Sequence, residues 1–336
     1  MVVALLAALA TALTGAPATA PEARVLRPAP AIAVPSGFRA EVWATGLRRP
    51  TALAWGPGGL LYVTQEGGEL VAVGRGSARP RVLVRGLRTP LGLVWRGRHV
   101  YVSTQGALLR FRLDGRRSLA GRTTILGGLP YGRHQQDNVV LGPDGRLYLG
   151  SGSTCDVCRE RDRRSAAILS LRPDGSDVRV FARGLRNPFG LAFEPRTGRL
   201  FVSVNNQDDL GTWEPAESIV VARRGADFGW PRCRPSWRLR RLVGSCRGVA
   251  KPLAYLEPHS SPNGLVFWRG RLYVAEWGQY ASDRWGRKVV AVDPRTGRVR
   301  AFADGFDHPL ALAVAPRGGL LVADWGRGLI YRIHQL

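Results

Sequence analysis

Lysine is almost missing from this chain of 336 residues. Lys251 and Lys288 are the only two, so nearly all of the 49 basic residues are arginine, and against 25 acidic residues the net charge is +24. Such a charge raises the question of a nucleic-acid or anionic-surface partner. The arginines are spread along the whole sequence, with no basic tail and no stripe interleaved with aromatics, which argues against nucleic acid. An outer surface that adheres to anionic envelope polymers fits the charge better. Beyond the N-terminal segment no apolar run is long enough for a transmembrane helix. Gly-x-Ser-x-Gly, P-loop and dinucleotide fingerprints are also lacking, which removes the commonest hydrolase, nucleotidase and nicotinamide routes.

Cysteine is scarce, at Cys155, Cys158, Cys233 and Cys246. In an exported protein an even count points to disulfides, and proximity favours Cys155–Cys158 and Cys233–Cys246 among three pairings. A zinc site built from all four thiolates is the alternative, against which the twelve residues between Cys233 and Cys246 are an unusual half-site spacing. Export is itself expected. The run ALLAALATALTGAPATA ends in the small-residue exit Ala18-Thr19-Ala20 and reads as a signal peptide over residues 1–20, cut after Ala20 and too short to cross a bilayer. No Lys or Arg precedes that run. Residues 21–36, rich in Ala and Pro, read as a linker, and the expected location is periplasmic or secreted.

Glycine (42), proline (23) and tryptophan (10) are plentiful. One pattern recurs six times. Its clearest copies are GLRRPTALAW from Gly46, GLRTPLGLVW from Gly86 and GLRNPFGLAF from Gly184; weaker ones are RHQQDNVVL from Arg133, HSSPNGLVFW from His259 and GFDHPLALAV from Gly305. After each come a short turn and a second apolar strand such as LLYVT, RLYLG or RLFVS. The shared column falls at Pro50, Pro90, Gln136, Pro188, Pro262 and Pro309. Spacings of about 40–50 residues with several strands per unit mark a β-propeller. The sequence therefore predicts an all-β, six-bladed β-propeller over residues 37–336, with about four antiparallel strands per blade. The long step between Pro188 and Pro262 predicts an insertion over about 211–251 that carries Cys233 and Cys246. The closing strand GLIYRI is expected to pair with residues near Phe38–Trp43 and so remove the open edges.

In a propeller the two residues before each column position face one another across the channel mouth. Here they are Arg48-Arg49, Arg88-Thr89, His134-Gln135, Arg186-Asn187, Ser260-Ser261 and Asp307-His308. Cations, amides and an imidazole suit an anionic, planar, hydrogen-bonding ligand with a proton acceptor beside it. Arg48 and Arg88 read as solvated loop residues, whereas His134, in one ring with Arg186 and Asn187, reads as functional. Trp277, Trp285 and Trp325 could stack on a ring, although packing between blades is the commoner use of such residues.

YGRHQQDNVVLGPDGRLYLGSG (Tyr131–Gly152), GLRNPFGLAFEPRTGRLFVSVNNQDDLG (Gly184–Gly211), GADFGWPRC (Gly225–Cys233) and HSSPNGLVFW (His259–Trp268) resemble the glucose/sorbosone dehydrogenase family. These are soluble quinoprotein propellers that use pyrroloquinoline quinone (PQQ) and calcium, and the resemblance spans roughly residues 37–336. It implies that His134 is the general base taking the substrate hydroxyl proton while hydride passes to the quinone. It makes Gln135, Arg186 and Asn187 cofactor-binding residues, with Arg284, Lys288 and His308 as further candidates. It makes Asn206, Gln207 and Asp208 the calcium loop, in keeping with a hard cation's choice of oxygen ligands. Two departures stand out. Arg133 replaces an acid found beside the base in glucose-oxidising members and should lower the His134 pKa. His308 stands where the family often has an arginine.

The expected activity is oxidation of a sugar or sugar-derived aldehyde, with electrons passed to a diffusible or membrane acceptor. Two other readings compete. One is a lactonase-like hydrolase with a divalent metal, which needs an acidic ligand set; the other is a propeller that binds carbohydrate or protein without catalysis.

Overall fold

Each repeat contributes strands whose two faces belong to different cores. The computed structural model describes residues 32–115, 118–280 and 282–336; the expected signal peptide and residues 21–31 of the linker lie outside them. The described chain forms a six-bladed β-propeller. Blade one is Pro50–Trp55, Leu61–Gln65, Glu69–Val73 and Arg81–Val84; blade two is Gly92–Arg96, His99–Thr104, Ala107–Asp114 and Ser118–Leu126. Blade three is Gln136–Leu141, Leu147–Ser151, Ala167–Leu171 and Arg179–Arg183, and blade four is Asn187–Phe193, Leu200–Asn205, Glu217–Ala222 and Ala254–Leu256. Blade five is Pro262–Trp268, Arg271–Glu276, Lys288–Val292 and Val299–Asp304. Blade six takes three strands from the C-terminus (Pro309–Val314, Leu320–Asp324, Leu329–Gln335) and its outermost strand, Phe38–Ala44, from the N-terminal side. That pairing, Phe38 opposite Gln335 through Ala44 opposite Ile330, is the expected closure.

The second strands read as continuous apolar runs because neighbouring blades cover both of their faces. Leu61 and Val63 pack toward blade six while Tyr62, between them, packs toward blade two. Likewise Leu200 and Val202 join the core shared with blade three, and Phe201 the core shared with blade five. Six such clusters fill the six interfaces between blades. The outer strands, such as Ser118–Leu126, are largely exposed.

Around the axis the innermost strands come close. A Cβ on Gly190 would fall 2.0 Å from the Asn263 carbonyl oxygen, so only glycine fits there. Buried hydroxyls stitch neighbouring blades: Thr51 Oγ1 donates to the Pro90 carbonyl at 2.6 Å, Ser203 Oγ to the Asn263 carbonyl at 2.7 Å, and Ser103 Oγ to the Asp137 carbonyl. In five of the six innermost strands the register shifts just past the repeat column, for example between Pro188 and Leu191. Proline donates no ladder bond, and such irregularities re-aim side chains at the end of a sheet.

The excursion in blade four is narrower than 211–251, because Glu217–Ala222 is a strand of the blade itself. Between that strand and Ala254–Leu256, residues Ala226–Asp227 extend blade three in parallel, and Cys233–Ser236 pairs with Arg241–Gly244 as a hairpin. Both expected disulfides form, Cys155–Cys158 and Cys233–Cys246, the second tying off this hairpin.

Candidate functional site

Loops from blades three, four and five bring the polar residues of the repeat column into one cavity of about 500 Å³ at an end of the channel. His134 enters it from the loop before blade three. Its main-chain N–H donates to the Ser153 carbonyl at 3.0 Å, and Gly152 N–H donates to the Gln135 carbonyl at 2.8 Å. Gly152 has no room for a side chain, since a Cβ would lie 2.4 Å from His134 Cβ and 2.5 Å from Asn187 Oδ1. The imidazole's tautomer follows from its neighbours. Ser153 Oγ donates its hydrogen to the Cys155 carbonyl at 2.6 Å, so toward His134 Nδ1, 3.0 Å away, it is the acceptor. His134 therefore carries its proton on Nδ1, and Nε2 is left as the ring's acceptor. Burial first, then Arg186 and Arg133, lower its pKa to about 3, in the direction expected of a neighbouring cation.

Arg186, 2% exposed, is the deepest cation. Its Nη2 donates to Asp156 Oδ1 at 2.5 Å and to Asp208 Oδ2 at 2.7 Å, its Nε to the Asp156 carbonyl at 3.3 Å, and its Nη1 to the Asn205 carbonyl at 3.4 Å. Asp208 also accepts from Arg133 Nη2 at 2.7 Å and lies 3.8 Å from His259 Nδ1. Burial alone would raise the Asp208 pKa, but His259, Arg186 and Arg133 together hold it well below the usual carboxylate range. The Asp208 carboxylate, opposed by burial and aided by the Gly211 carbonyl, raises His259 to about 9, so this imidazole is protonated at neutral pH. Beneath them Glu217 accepts the Asn206 main-chain N–H at 2.5 Å, and burial pushes its pKa up to about 8. Glu217 is thus a neutral carboxyl at neutral pH. Opposite this polar wall stand Trp277, Trp325 and Tyr280, with Phe189 and Leu310 on the floor.

Of the residues expected at the site, His134, Arg186, Asn187, Asn206 and Asp208 line the cavity. Others do not. Gln135 donates to the Thr89 carbonyl and so links blades three and two. Gln207 is buried with its amide on Asp209. Arg284 lies over the Trp213 ring, and Lys288 is neutralised by Glu257 at 2.6 Å and Glu276 at 3.9 Å. His308 packs behind the aromatic wall, 4.2 Å from Trp277 between ring centres. Arg48 and Arg88 are surface loop residues, paired with Glu69 and Gln105. The acidic ends of the second strands in blades five and six are structural. Asp324 accepts the N–H groups of Asp307 and His308, and Glu276 lies beside Ser260. Sequence reasoning missed Ser153, Asp156, Glu217 and the charged His259. Glu217 alone gave a signal, as an acid opening the apolar strand ESIVVA.

The architecture is shared with solved structures. The holo form of the pyranose dehydrogenase PQQ domain from Coprinopsis cinerea superposes with a TM-score of 0.78 at 20% identity, over 90% of this chain and 97% of that one. The PQQ-bound aldose sugar dehydrogenase from Streptomyces coelicolor does so with a TM-score of 0.72 at 24% identity, over 90% and 99%. Among sequences, quinoprotein glucose dehydrogenase B of Acinetobacter calcoaceticus is 24% identical over 259 residues, a match spanning 58% of this chain and 52% of that protein. The sequence model for glucose/sorbosone dehydrogenase matches residues 98–281, from the second strand of blade two into blade five, and takes in Arg133, His134, Arg186, Asn187, Asp208, Glu217 and His259 of the cavity. That match takes in more than half of the sequence, and the chain belongs to the glucose/sorbosone dehydrogenase family.

Proposed function

We propose that the protein is an exported, PQQ- and calcium-dependent dehydrogenase that oxidises a sugar or sugar-derived aldehyde and passes the electrons to a diffusible or membrane acceptor. One observation carries this reading: His134, with Nε2 left as acceptor, shares a cavity with Arg186 and Asn187. The family and the sugar dehydrogenases named above support it, and two disulfides support export.

The residues fit such a cofactor. Arg133, Arg186 and protonated His259 set three cations against the carboxylates of Asp156 and Asp208, Asn187 adds an amide, and the facing wall is aromatic. A planar, oxygen-rich anion matches both walls. Calcium would be held by main-chain oxygens of the Asn206–Asp208 turn, because the Asp208 carboxylate is already engaged by arginines. The bound quinone supplies a two-electron acceptor for hydride. His134 Nε2 accepts the substrate hydroxyl proton while Ser153 holds the Nδ1 proton in place. An anion bound beside Arg133 and Arg186 offsets the charge that depresses His134, and strengthens it as a base. Arg186 and Asn187 orient the ligand through N–H donors, and the Trp277–Trp325 wall excludes water from its face.

The test is an absorbance titration of the calcium-loaded protein with PQQ, followed by dye reduction across a panel of sugars and aldehydes. Saturable binding and turnover that His134→Ala abolishes are expected. A folded protein that takes up no PQQ, or takes it up and reduces no dye with any donor, overturns the reading.

A further inference from the structure

The short loop closed by Cys155 and Cys158 carries a carboxylate into the wall of the site. Asp156 Oδ1 accepts from Arg186 Nη2 at 2.5 Å, and its carbonyl accepts from Arg186 Nε at 3.3 Å. The same carboxylate receives the Asp208 main-chain N–H at 3.1 Å and lies 3.8 Å from Arg133 Nε. One residue earlier, the Cys155 carbonyl accepts the hydroxyl of Ser153, the group that sets the His134 tautomer. Two of the four hydrogen-bond contacts of Arg186 therefore depend on where this loop sits. A guanidinium that is 2% exposed has little solvent contact with which to replace them.

The two disulfides also differ in access: in one bridge Cys233 is buried and Cys246 half-buried, whereas in the other both Cys155 and Cys158 are half-buried, beside the exposed Val157. C-x-x-C is the spacing of pairs that exchange with other thiols.

We propose that the Cys155–Cys158 loop is a redox-responsive positioning element, in which the disulfide holds Asp156 as a positioning residue for Arg186. A dithiol reductant operates it. One reductant thiolate attacks a cysteine sulfur, the Cys–Cys bond breaks and a mixed disulfide forms. The second reductant thiol then closes the reductant's own disulfide, leaving two cysteine thiols. The reductant gives up two electrons and two protons, and the cystine gains them. The freed loop no longer fixes Asp156, so Arg186 and the Asp208 turn lose their shared anchor. The inference rests on the cofactor-holding role given to Arg186.

The test uses the full chain labelled with ¹⁵N-arginine and treated with dithiothreitol without denaturant. Alkylation and mass spectrometry establish which cysteines were reduced. The Arg186 Nε–H resonance, assigned with Arg186→Lys, and PQQ affinity in the presence of calcium are then read. Reduction at Cys155 and Cys158 alone should shift that resonance and weaken PQQ binding by about tenfold or more, the scale of losing an outer partner of a liganding group. Reoxidation should restore both. Asp156→Asn in oxidised protein, and Cys155→Ser with Cys158→Ser, should reproduce the loss. Reducing Asp156→Asn should add little, as expected of two changes acting through one contact. The proposal is overturned by a bridge that stays oxidised, by an Arg186 resonance that does not move, or by losses that multiply. Tighter PQQ binding on reduction also overturns it, because Asp156 would then be a competitor for the guanidinium. If no form binds PQQ, the cofactor reading falls and the arginine resonance alone decides this one.

Discussion

On the proposed function His134 is the base, and its environment sets the expected pH behaviour. Its pKa falls from the ordinary 6.5 to about 3, so the imidazole is already a free base at mildly acidic pH. If His134 is the base, kcat/KM of the cofactor-loaded enzyme has its acid limb below 6.5 and above the value of about 3 for the unloaded site, because the bound anion offsets part of the arginine charge; a limb at or above 6.5 counts against it. The linkage has the same sign. A histidine with a lowered folded pKa contributes stability that is present above 6.5 and lost as pH falls toward 3. His134→Gln should therefore flatten the acid side of a stability-against-pH curve measured by chemical denaturation. Gly152 governs the same ring sterically. Gly152→Ala places a methyl 2.4 Å from His134 Cβ, with Asn187 Oδ1 on its other side. It should cost about 1–3 kcal/mol of stability as overpacking does, and, with His134 as the proposed base, lower kcat by up to about a hundredfold through its misplacement. Unchanged kinetics in a folded Gly152→Ala protein would show that the ring gives way. The placement of His134, Arg186 and Asn187 in one cavity was legible in the sequence because each stands one or two residues before the repeat column. Ser153, Asp156 and Glu217 were not, because their roles arise from contacts across turns and blades that no local spacing encodes.

At the scale of the strand, alternation decides which interface a residue serves, and this was the most legible level. A second strand such as RLFVS reads as apolar throughout because each face is a core, and its period of two then assigns Phe201 to one neighbour and Val202 to the other. Phe201→Ala should destabilise by about 3–5 kcal/mol, the cost of emptying a large aromatic site, as a shift in denaturation midpoint without loss of the propeller's circular dichroism at low denaturant. The excursion within blade four was harder to bound. The blade strand that precedes it, ESIVVA, opens with an acid, and Glu217 accepts an N–H from the site loop. The Cys233–Cys246 bridge closes a loop with a sequence separation of 13. Cys233→Ser with Cys246→Ser should cost about 3 kcal/mol on the chain-entropy estimate, while leaving the cavity residues in place. A thermal melt together with a PQQ titration separates these two effects.

For the whole molecule, closure matters more than any one blade. Blade six is completed by chain from both ends, with Phe38–Ala44 added to Leu329–Gln335. Its core joins Ala40 to Tyr331, Val322 and Trp268 of the adjoining blade, so the seam is packed as well as hydrogen-bonded. The register is fixed by Val42 opposite Tyr331, and Arg332 adds an ion pair to Glu41 at 3.2 Å across the same ladder. Removing residues 329–336 would strip the third strand from blade six, orphan the N-terminal strand and expose two unpaired edges. Because the cavity draws residues from loops around the channel, including Trp325 of blade six and Glu66 of blade one, an open ring also loses its aromatic wall. The truncated chain should therefore aggregate or unfold in a broad, low-cooperativity transition and lose the proposed PQQ binding. Adding the peptide 329–336 back in trans should recover part of both, since the missing strand has one place to pair. Size-exclusion chromatography and a denaturant melt decide the matter: a truncated protein that stays monomeric with the original midpoint would mean that the other five interfaces hold the ring without its seam.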